Sequence, residues 1–181
     1  MQTISKSAFY GCCSLQEVNI PKNVKSIGNW AFVCNDLRNI VVDEQNNQFK
    51  AVDDVLYTKN GETLIKYPSK KEGDSYIIPN TVTKIANGAF QDCNELAHIT
   101  LPQNLKEIGD NAFLNTSIQE IDLPNGIISV GKMAFSQCKF LERATIPGTI
   151  TCLGDRAFTE CHKLNSVDFG DGITGIGDNI L

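Results

Sequence analysis

The chain has 181 residues, enough for one domain with a large hydrophobic core. Sixteen Lys and Arg residues against 21 Asp and Glu residues give a net charge of −5, which argues against nucleic-acid binding because such proteins carry a basic surface. No apolar run approaches the roughly 18 residues of a membrane span, and the first residues lack the basic start and apolar stretch of a signal peptide. We therefore expect a folded domain with no membrane span in this chain.

A repeat of 23 residues runs along the chain. The dipeptide Ala-Phe occurs six times, and successive Phe residues are 23, 58, 23, 22 and 23 positions apart. An aliphatic residue followed by Pro recurs with the same period, and alignment gives the unit L-x-x-V-x-I-P-x-x-V-x-x-I-G-x-x-A-F-x-x-C. One such unit cannot bury its own apolar face, but stacked units share a continuous core. The repeat therefore predicts a solenoid.

Each position of the unit has a structural interpretation. Positions 4 and 6 alternate as a short strand with one buried face, and Pro at position 7 ends that strand because it has no N–H to donate. We expect Gly at position 14 to permit a sharp backbone turn, and Ala-Phe to turn inward on a short helical or 3-10 turn. The predicted fold is a β-rich solenoid in which short turns or 3-10 segments connect the strands.

An insertion separates the second and third Ala-Phe dipeptides. The 58-residue interval between their Phe residues equals one period plus 35 residues. Within it, Asn60-Gly61 lies between two apolar runs, which signals a β-hairpin. We assign the insertion to about residues 43–75, and we expect it to break the ladder of strands and to expose a hairpin.

This pattern resembles the BspA-like (Treponema-type) leucine-rich repeat over nearly the whole chain. The resemblance includes the insertion, because family members carry a hairpin reading D-G-V-L-Y, then K-x-G-x-x-L and Y-P. Here these motifs correspond to residues 53–57, 59–64 and 67–68, with Asp54 in the place of the family's Gly. The resemblance implies a right-handed leucine-rich repeat array in which residues 1–181 form a single domain interrupted by one β-hairpin. We expect a fragment of a longer array, since neither end supplies an obvious cap.

The outward positions of the strands form the predicted binding surface, which we call the strand face. Positions 3 and 5 of each unit point away from the core and in such a solenoid line one continuous surface. Its acids outnumber its single Arg, so a basic or polar partner would suit it. The candidate ligand-binding residues are Glu17, Asn19, Asn39, His98, Thr100, Glu120, Asp122, Arg143, Thr145, Ser166 and Asp168.

The family resemblance implies a surface-exposed or secreted protein of host-associated bacteria or parasitic protists. Its members act as adhesins toward host extracellular-matrix proteins such as fibronectin, or in coaggregation. We therefore expect a cell-surface or secreted module that binds a protein or a glycan. The alternative is a structural spacer, or a self-associating stalk that presents another domain.

Motifs for catalysis, cofactors or metals do not stand out. The chain has no H-E-x-x-H, G-x-S-x-G or Walker-type motif and no C-x-x-C pair. Glu120 and Asp122 lie about 6.6 Å apart along one strand face, a separation found in inverting glycosidases. Their predicted neighbours His98 and Arg143 favour an ordinary solvated charge ladder instead. We expect no enzyme, no cofactor and no metal site.

The seven cysteines fall into two groups. Most follow the repeat Phe by three residues, with one out of phase, and we expect them to be buried thiols that pack as small hydrophobes: Cys12, Cys93, Cys138, Cys161 and Cys34. Neighbouring turns about 4.8 Å apart also allow a disulfide between Cys138 and Cys161. Cys13 and Cys152 lie outside this series and are predicted to be exposed.

Overall fold

The repeat folds into sixteen short β-strands joined by turns. The computed structural model describes all 181 residues and contains no helix. The strands are β1 (Thr3–Ile4), β2 (Glu17–Ile20), β3 (Ser26–Ile27), β4 (Asn39–Val42), β5 (Phe49–Val52), β6 (Val55–Thr58), β7 (Thr63–Lys66), β8 (Ser75–Ile77), β9 (Lys84–Ile85), β10 (His98–Thr100), β11 (Glu107–Ile108), β12 (Glu120–Asp122), β13 (Ser129–Val130), β14 (Arg143–Ile146), β15 (Cys152–Leu153) and β16 (Ser166–Phe169). They wind into a β-solenoid of about seven turns, as predicted.

The strands stack in parallel into two ladders. The first carries the strand face and consists of the sheets β2–β4, β8–β10 and β12–β14–β16. The second consists of β1–β3 and of the series β7–β9–β11–β13–β15. Along β2, Val18 and Ile20 are buried while Glu17 and Asn19 are exposed. The predicted strand with one buried face is therefore confirmed, and β2 ends directly before Pro21 as expected.

The repeat Phe residues form an aromatic stack through the core. The ring centroids of Phe90 and Phe113 are 4.8 Å apart, and those of Phe113 and Phe135, and of Phe135 and Phe158, are 5.2 Å apart. Tyr67 from the insertion takes the next place in the stack, 5.2 Å from Phe90. These rings are almost completely buried, and burial of each stabilises the fold by about 1.5–3 kcal/mol. The Ala-Phe segments that place them are hydrogen-bonded turns, without the helical or 3-10 geometry that we considered.

The repeat Gly is required by close packing of successive turns, which corrects our interpretation of it as a turn residue. Gly109, Gly131 and Gly154 do not have a positive φ. A Cβ atom on Gly131 would lie 2.5 Å from the backbone nitrogen of Asp110 in the preceding turn. The residue with a left-handed backbone conformation is instead the one two positions before the repeat Phe, such as Asn111, whose φ is 56°.

The insertion forms an antiparallel sheet of three strands, β5, β6 and β7. Asp53 and Asp54 have φ values of 48° and 64°, so they form the two-residue turn with positive φ at both positions that suits a twisted hairpin. The turn at Asn60-Gly61 joins β6 to β7 as predicted. β7 then pairs in parallel with β9, with Thr63 opposite Lys84, so the insertion itself restores the second ladder.

The middle strand of the insertion is buried, contrary to the expectation of an exposed hairpin. Val55, Leu56 and Tyr57 are each at most 2% exposed. Val55 and Tyr57 pack into a core of 31 residues, whereas Leu56 packs into a separate core of 11 residues that contains the first turns. Because successive residues of a strand point to opposite sides, β6 lies between the two cores and contributes to both.

Candidate binding surface

The structure divides the strand face into three groups of candidate residues. Glu17, Asn19 and Asn39 lie together on β2 and β4, with Glu17 directly opposite Asn39. His98 and Thr100 lie on β10. The other six candidates lie on β12, β14 and β16, where two rows cross the sheet: Glu120, Arg143 and Ser166, and Asp122, Thr145 and Asp168. All eleven are exposed except Thr145 and Ser166, which are half-buried.

Arg143 organises the charges of the third group. One of its terminal nitrogens donates to Glu120 Oε2 at 3.0 Å and to Asp122 Oδ2 at 3.3 Å. Thr145 Oγ1 donates to the other carboxylate oxygen of Asp122 at 2.7 Å. The hydrogen bond to Glu120, together with the nearby charge of Asp122, raises the pKa of Arg143 above its ordinary value. This part of the surface is therefore an ordered, charged patch with its central cation held by two carboxylates.

Two apolar side chains on the strand face were missing from the candidate residues. Ile77 on β8 is 74% exposed and stands opposite Thr100, and Val41 on β4 is 46% exposed and stands opposite Asn19. Ile77 was missed because its strand lacks the opening Leu of the repeat. The signal that could have found it is Ile78-Pro79, which marks the strand end and so fixes the outward position. The face is therefore mixed in character and not simply acidic.

The strand face is interrupted between β10 and β12. No strand pairing joins them, and the strand partner of His98 is Ser75 on β8. The repeat between them is one residue short, and Ser117 Oγ bonds to Asn94 O at 2.6 Å just before the strand. The turns still stack there, because Gln119 N donates to Ala97 O at 3.1 Å just before the two strands, as Glu142 N donates to Gln119 O at 2.8 Å. Glu120 is thus paired directly with Arg143 but not with His98.

Glu120 and Asp122 have the surroundings of a surface ion cluster. Both side chains are 60% exposed, and both already accept hydrogen bonds from Arg143. Exposed carboxylates that share one guanidinium are typical of surface ion pairs. The arrangement therefore favours the charge ladder over paired catalytic carboxylates.

The cysteines of the repeat donate their thiols to the preceding turn. Cys34, Cys138 and Cys161 each lie 3.1–3.2 Å from the backbone oxygen of the aromatic residue one turn earlier. Cys34 donates to this acceptor although it follows the repeat Phe by two residues and not by three. All seven cysteines are free thiols in the structure.

Burial of the thiols follows their place in the stack. Cys34, Cys93 and Cys138 are buried as predicted, and Cys161 is half-buried. Cys12 is exposed, contrary to prediction, because it belongs to the first turn and no earlier turn covers it. Cys13 and Cys152 are exposed as predicted. Burial raises the pKa of Cys34 to about 11 and that of Cys93 to about 12, so these thiols remain protonated at neutral pH.

No group of three or more His, Cys, Asp or Glu side chains is placed to hold a metal ion. None of the chain forms a helix of the length and apolar character that crossing a membrane requires.

The repeats match a known family. Residues 1–60 and 67–181 match the BspA type leucine rich repeat region, in six copies, so the chain belongs to this family. The family and the solenoid define a leucine-rich repeat protein whose fold serves as an interaction scaffold. No curated protein matches the chain significantly.

Solved structures of bacterial leucine-rich repeat proteins share the fold. The pneumococcal vaccine antigen PcpA is 29% identical with a TM-score of 0.92, over 99% of this chain and 47% of that one. A leucine-rich repeat protein from Eubacterium ventriosum is 28% identical with a TM-score of 0.79, over 93% of this chain and 52% of that one. A leucine rich cell surface protein from Faecalibacterium prausnitzii is 32% identical with a TM-score of 0.75, over 93% and 51%. The chain thus spans about half the length of these proteins.

Proposed function

We propose that this chain is part of a cell-surface or secreted binding module that holds a protein partner on its strand face. The observation that carries the proposal is the parallel register of the strands, which sets two outward side chains per turn in rows along the solenoid. Membership of the BspA type family supports a role in interaction, and the similar F. prausnitzii protein is described as a cell surface protein.

The chemistry of the face favours a partner with both basic and apolar groups. Glu17 and Asp168 are exposed acids that form no salt bridge within the chain, while Ile77 and Val41 offer apolar contact. Protein interfaces combine an apolar centre with a polar rim, so apolar side chains beside exposed acids suit a protein partner. Host extracellular-matrix proteins such as fibronectin, and proteins on other cells, are the partners to test first.

Binding, and not catalysis, is the proposed role of the charged patch. The patch lies on open surface, and the neighbouring side chains form no enclosed site in which water would be excluded from Glu120 and Asp122. Surface charges of this kind steer association and select partners by complementarity.

The experiment is label-free binding of the purified chain to a panel of matrix proteins, including fibronectin, and of glycans. A test variant with Glu120, Asp122 and Arg143 changed to Ala runs beside the unmodified chain. Because these exposed groups bury no core surface, the variant should fold normally. We expect saturable binding to a protein and at least about tenfold weaker binding by the variant.

A control variant removes the same number of acids and bases from the second ladder and its turns, with Glu107, Lys132 and Asp155 changed to Ala. Equal weakening in both variants would contradict a site on the strand face and would indicate general charge effects. Full binding by the test variant would place the contact elsewhere on the solenoid. Binding only to glycans would refute the protein partner.

Self-association distinguishes the spacer alternative. The mass of the chain in solution is measured over a hundredfold range of concentration by light scattering. A binding module is expected to keep a constant mass, whereas a self-associating stalk would grow with concentration. Absence of all partner binding together with growing mass would replace the proposed function by the stalk.

A further inference from the structure

A cleft of about 380 Å³ opens where the second ladder is interrupted, between β3 and the insertion. Its walls are the turn at 28–33, Thr63 and Ile65 of β7, and the turn at 86–88. We call it the junction cleft. Ala86 occupies the position of the repeat Gly and lies next to β7. β7 continues as a strand through Lys66, at a point where the regular repeats form a turn. The cleft therefore arises because the insertion does not stack on the second turn as a regular repeat would.

The turn that lines the cleft has unpaired backbone donors. In the regular repeats the N–H of the stacked Phe donates to the Ala oxygen of the next turn, as from Phe90 to Ala112 at 2.7 Å. The N–H groups of Trp30 and Phe32 have no acceptor within the chain. Phe32 is only 2% exposed. Buried N–H groups without a partner are rare in folded proteins, so the Phe32 donor, with that of the half-buried Trp30 beside it, marks a place where an acceptor from outside the chain would fit.

A buried ammonium group lies at the same cleft. Lys66 lines it and is 2% exposed, and its Nζ donates to the backbone oxygens of Gly88 at 3.2 Å and Gln91 at 3.3 Å. An ammonium has three N–H donors, so two carbonyl acceptors leave one unused. No carboxylate lies within salt-bridge distance of Lys66. A buried cation without a counter-ion is unfavourable, and burial indeed lowers the pKa of Lys66.

Half of the lining is hydrophobic, and its uncharged polar side chains are those of Asn29, Thr58, Thr63 and Asn87. Lys66 and Lys84 are its charged residues, of which Lys84 is paired with Glu107 at 2.7 Å, and no Asp or Glu lines the cleft. Lys6 adds a further cation, 4.9 Å from the ring centroid of Trp30. Phe49 and Ile65 supply apolar contact surface. The cleft thus combines the Lys66 ammonium and backbone N–H donors with a partly hydrophobic wall, and no acidic side chain lines it.

We infer that the junction cleft binds a carboxylate attached to an apolar or aromatic group. The carboxylate accepts hydrogen bonds from the Lys66 ammonium and from the free N–H groups of the 28–33 turn, while the apolar part packs on Phe49 and Ile65. The volume is within the range of small-ligand sites, which begins at about 300 Å³. Two sources share this chemistry: a small organic acid, or the C-terminus of a peptide that ends in an apolar residue.

Trp30 offers a direct measurement because it is the single Trp of the chain and lines the cleft. Its fluorescence is followed while the intact chain is titrated with 3-phenylpropionate and, separately, with the neutral amide 3-phenylpropanamide. We expect a saturable change with the acid and at least about tenfold weaker binding of the amide, since hydrogen bonds to charged groups are the strong ones. No saturable change, or equal binding of acid and amide, would overturn the inference.

A second titration identifies the source of the carboxylate. A short peptide ending in Phe is compared with the same peptide carrying a C-terminal amide. Tighter binding of the free-acid peptide than of phenylpropionate supports a peptide end as the ligand. Binding of phenylpropionate without binding of the peptide supports a small acid.

Variants connect the signal to the cleft. Lys66→Met keeps the apolar stem of the side chain and removes the ammonium, and Ala86→Leu fills the space without changing charge; both should weaken binding at least about tenfold. Thermal unfolding checks that each variant is folded, and either one alone is sufficient for the test. Lys132→Met is the matched control, since this exposed lysine lies on a distant turn, and it should bind as the unmodified chain does. Unchanged affinity in the folded Lys66 or Ala86 variant would overturn the inference.

Discussion

Gly131 packs directly against the backbone of Asp110 in the preceding turn. A Cβ atom on Gly131 would lie 2.5 Å from the Asp110 nitrogen and 2.6 Å from its Oδ1. The same close approach occurs at Gly154, where a Cβ would lie 2.4 Å from the carbonyl carbon of Gly131. The repeat Gly therefore sets how closely neighbouring turns can stack, and with them the hydrogen bonds of the second ladder.

We predict that Gly131→Ala destabilises the solenoid, because the added methyl group meets backbone that cannot move away without shifting a whole turn. The expected loss in the free energy of unfolding is about 1–3 kcal/mol or more. Urea denaturation followed by circular dichroism measures it. The control is Ala86→Gly at the equivalent position, which should cost only about 0.5–1 kcal/mol. Wild-type stability of Gly131→Ala would show that the turns are not held in close contact.

The aromatic stack makes a second stability prediction. Phe113→Ala should cost about 3–5 kcal/mol, because it leaves a cavity between the rings of Phe90 and Phe135. Phe140→Ala is the control, since this Phe is 47% exposed and its removal should change stability by about 0.5 kcal/mol or less. Chemical denaturation compares the two variants. Similar losses in both would contradict the role of the stack as the centre of the core.

Thiol reactivity tests the placement of the cysteines. We expect rapid modification of the exposed thiols by a disulfide reagent in the native protein: Cys12, Cys13 and Cys152. The buried thiols should react only after unfolding, because the reagent cannot reach them in the folded protein: Cys34, Cys93 and Cys138. Mass spectrometry after labelling with and without urea identifies each site. Native labelling of Cys93 would contradict its burial.

The buried thiols also predict a loss of stability at alkaline pH. Burial raises the folded-state pKa of Cys93 from 9.0 to about 12 and that of Cys34 from 9.0 to about 11. The folded protein therefore holds these protons more strongly than the unfolded chain, and this contribution is complete below pH 9.0 and is lost as pH rises toward those values. Urea denaturation at about pH 7.5 and about pH 10.5 in the presence of a reductant measures the change.

Cys93→Ala separates the thiol effect from general alkaline denaturation. The variant should lose less stability between the two pH values than the unmodified chain, whatever its stability at neutral pH. Burial raises the pKa of Tyr57 and Tyr67 as well, so part of the loss remains in the variant. An identical pH dependence in both proteins would mean that Cys93 titrates in the same way folded and unfolded.

The period of the repeat was enough to predict the strands, their buried faces and the outward direction of the candidate residues. Along β2 the buried residues are Val18 and Ile20, and the exposed ones are Glu17 and Asn19. This alternation depends only on neighbouring residues of one strand, so the order of apolar and polar residues predicts it. Ile77 was not predicted because its repeat lacks the opening Leu. That the strand face binds a partner stays a prediction.

Contacts between turns were harder to predict than the turns themselves. The sequence predicts a sharp turn at Gly131 because Gly adopts backbone conformations that other residues rarely adopt. Its role in the structure is instead set by close contact with Asp110, which is 21 residues earlier in the chain. We expect Cys12 to be buried like its equivalents, but in the structure no earlier turn stacks on it and it is exposed. Both errors have one cause: a repeat describes one turn, whereas packing depends on the turn beside it.

The amino-acid sequence by itself determined the class of fold, the spacing of the turns and the place of the insertion, because hydrophobic periodicity and turn residues act over a few positions. Only the tertiary structure decided that β6 is shared between two cores, that Arg143 joins Glu120 and Asp122, and that Trp30 and Lys66 line one cleft. These arrangements depend on how the insertion stacks between the second and third Ala-Phe turns. That stacking is set by contacts between residues far apart in the chain, since the insertion contributes to a core of the first turns and to a core of the later ones, so no local stretch of residues specifies it.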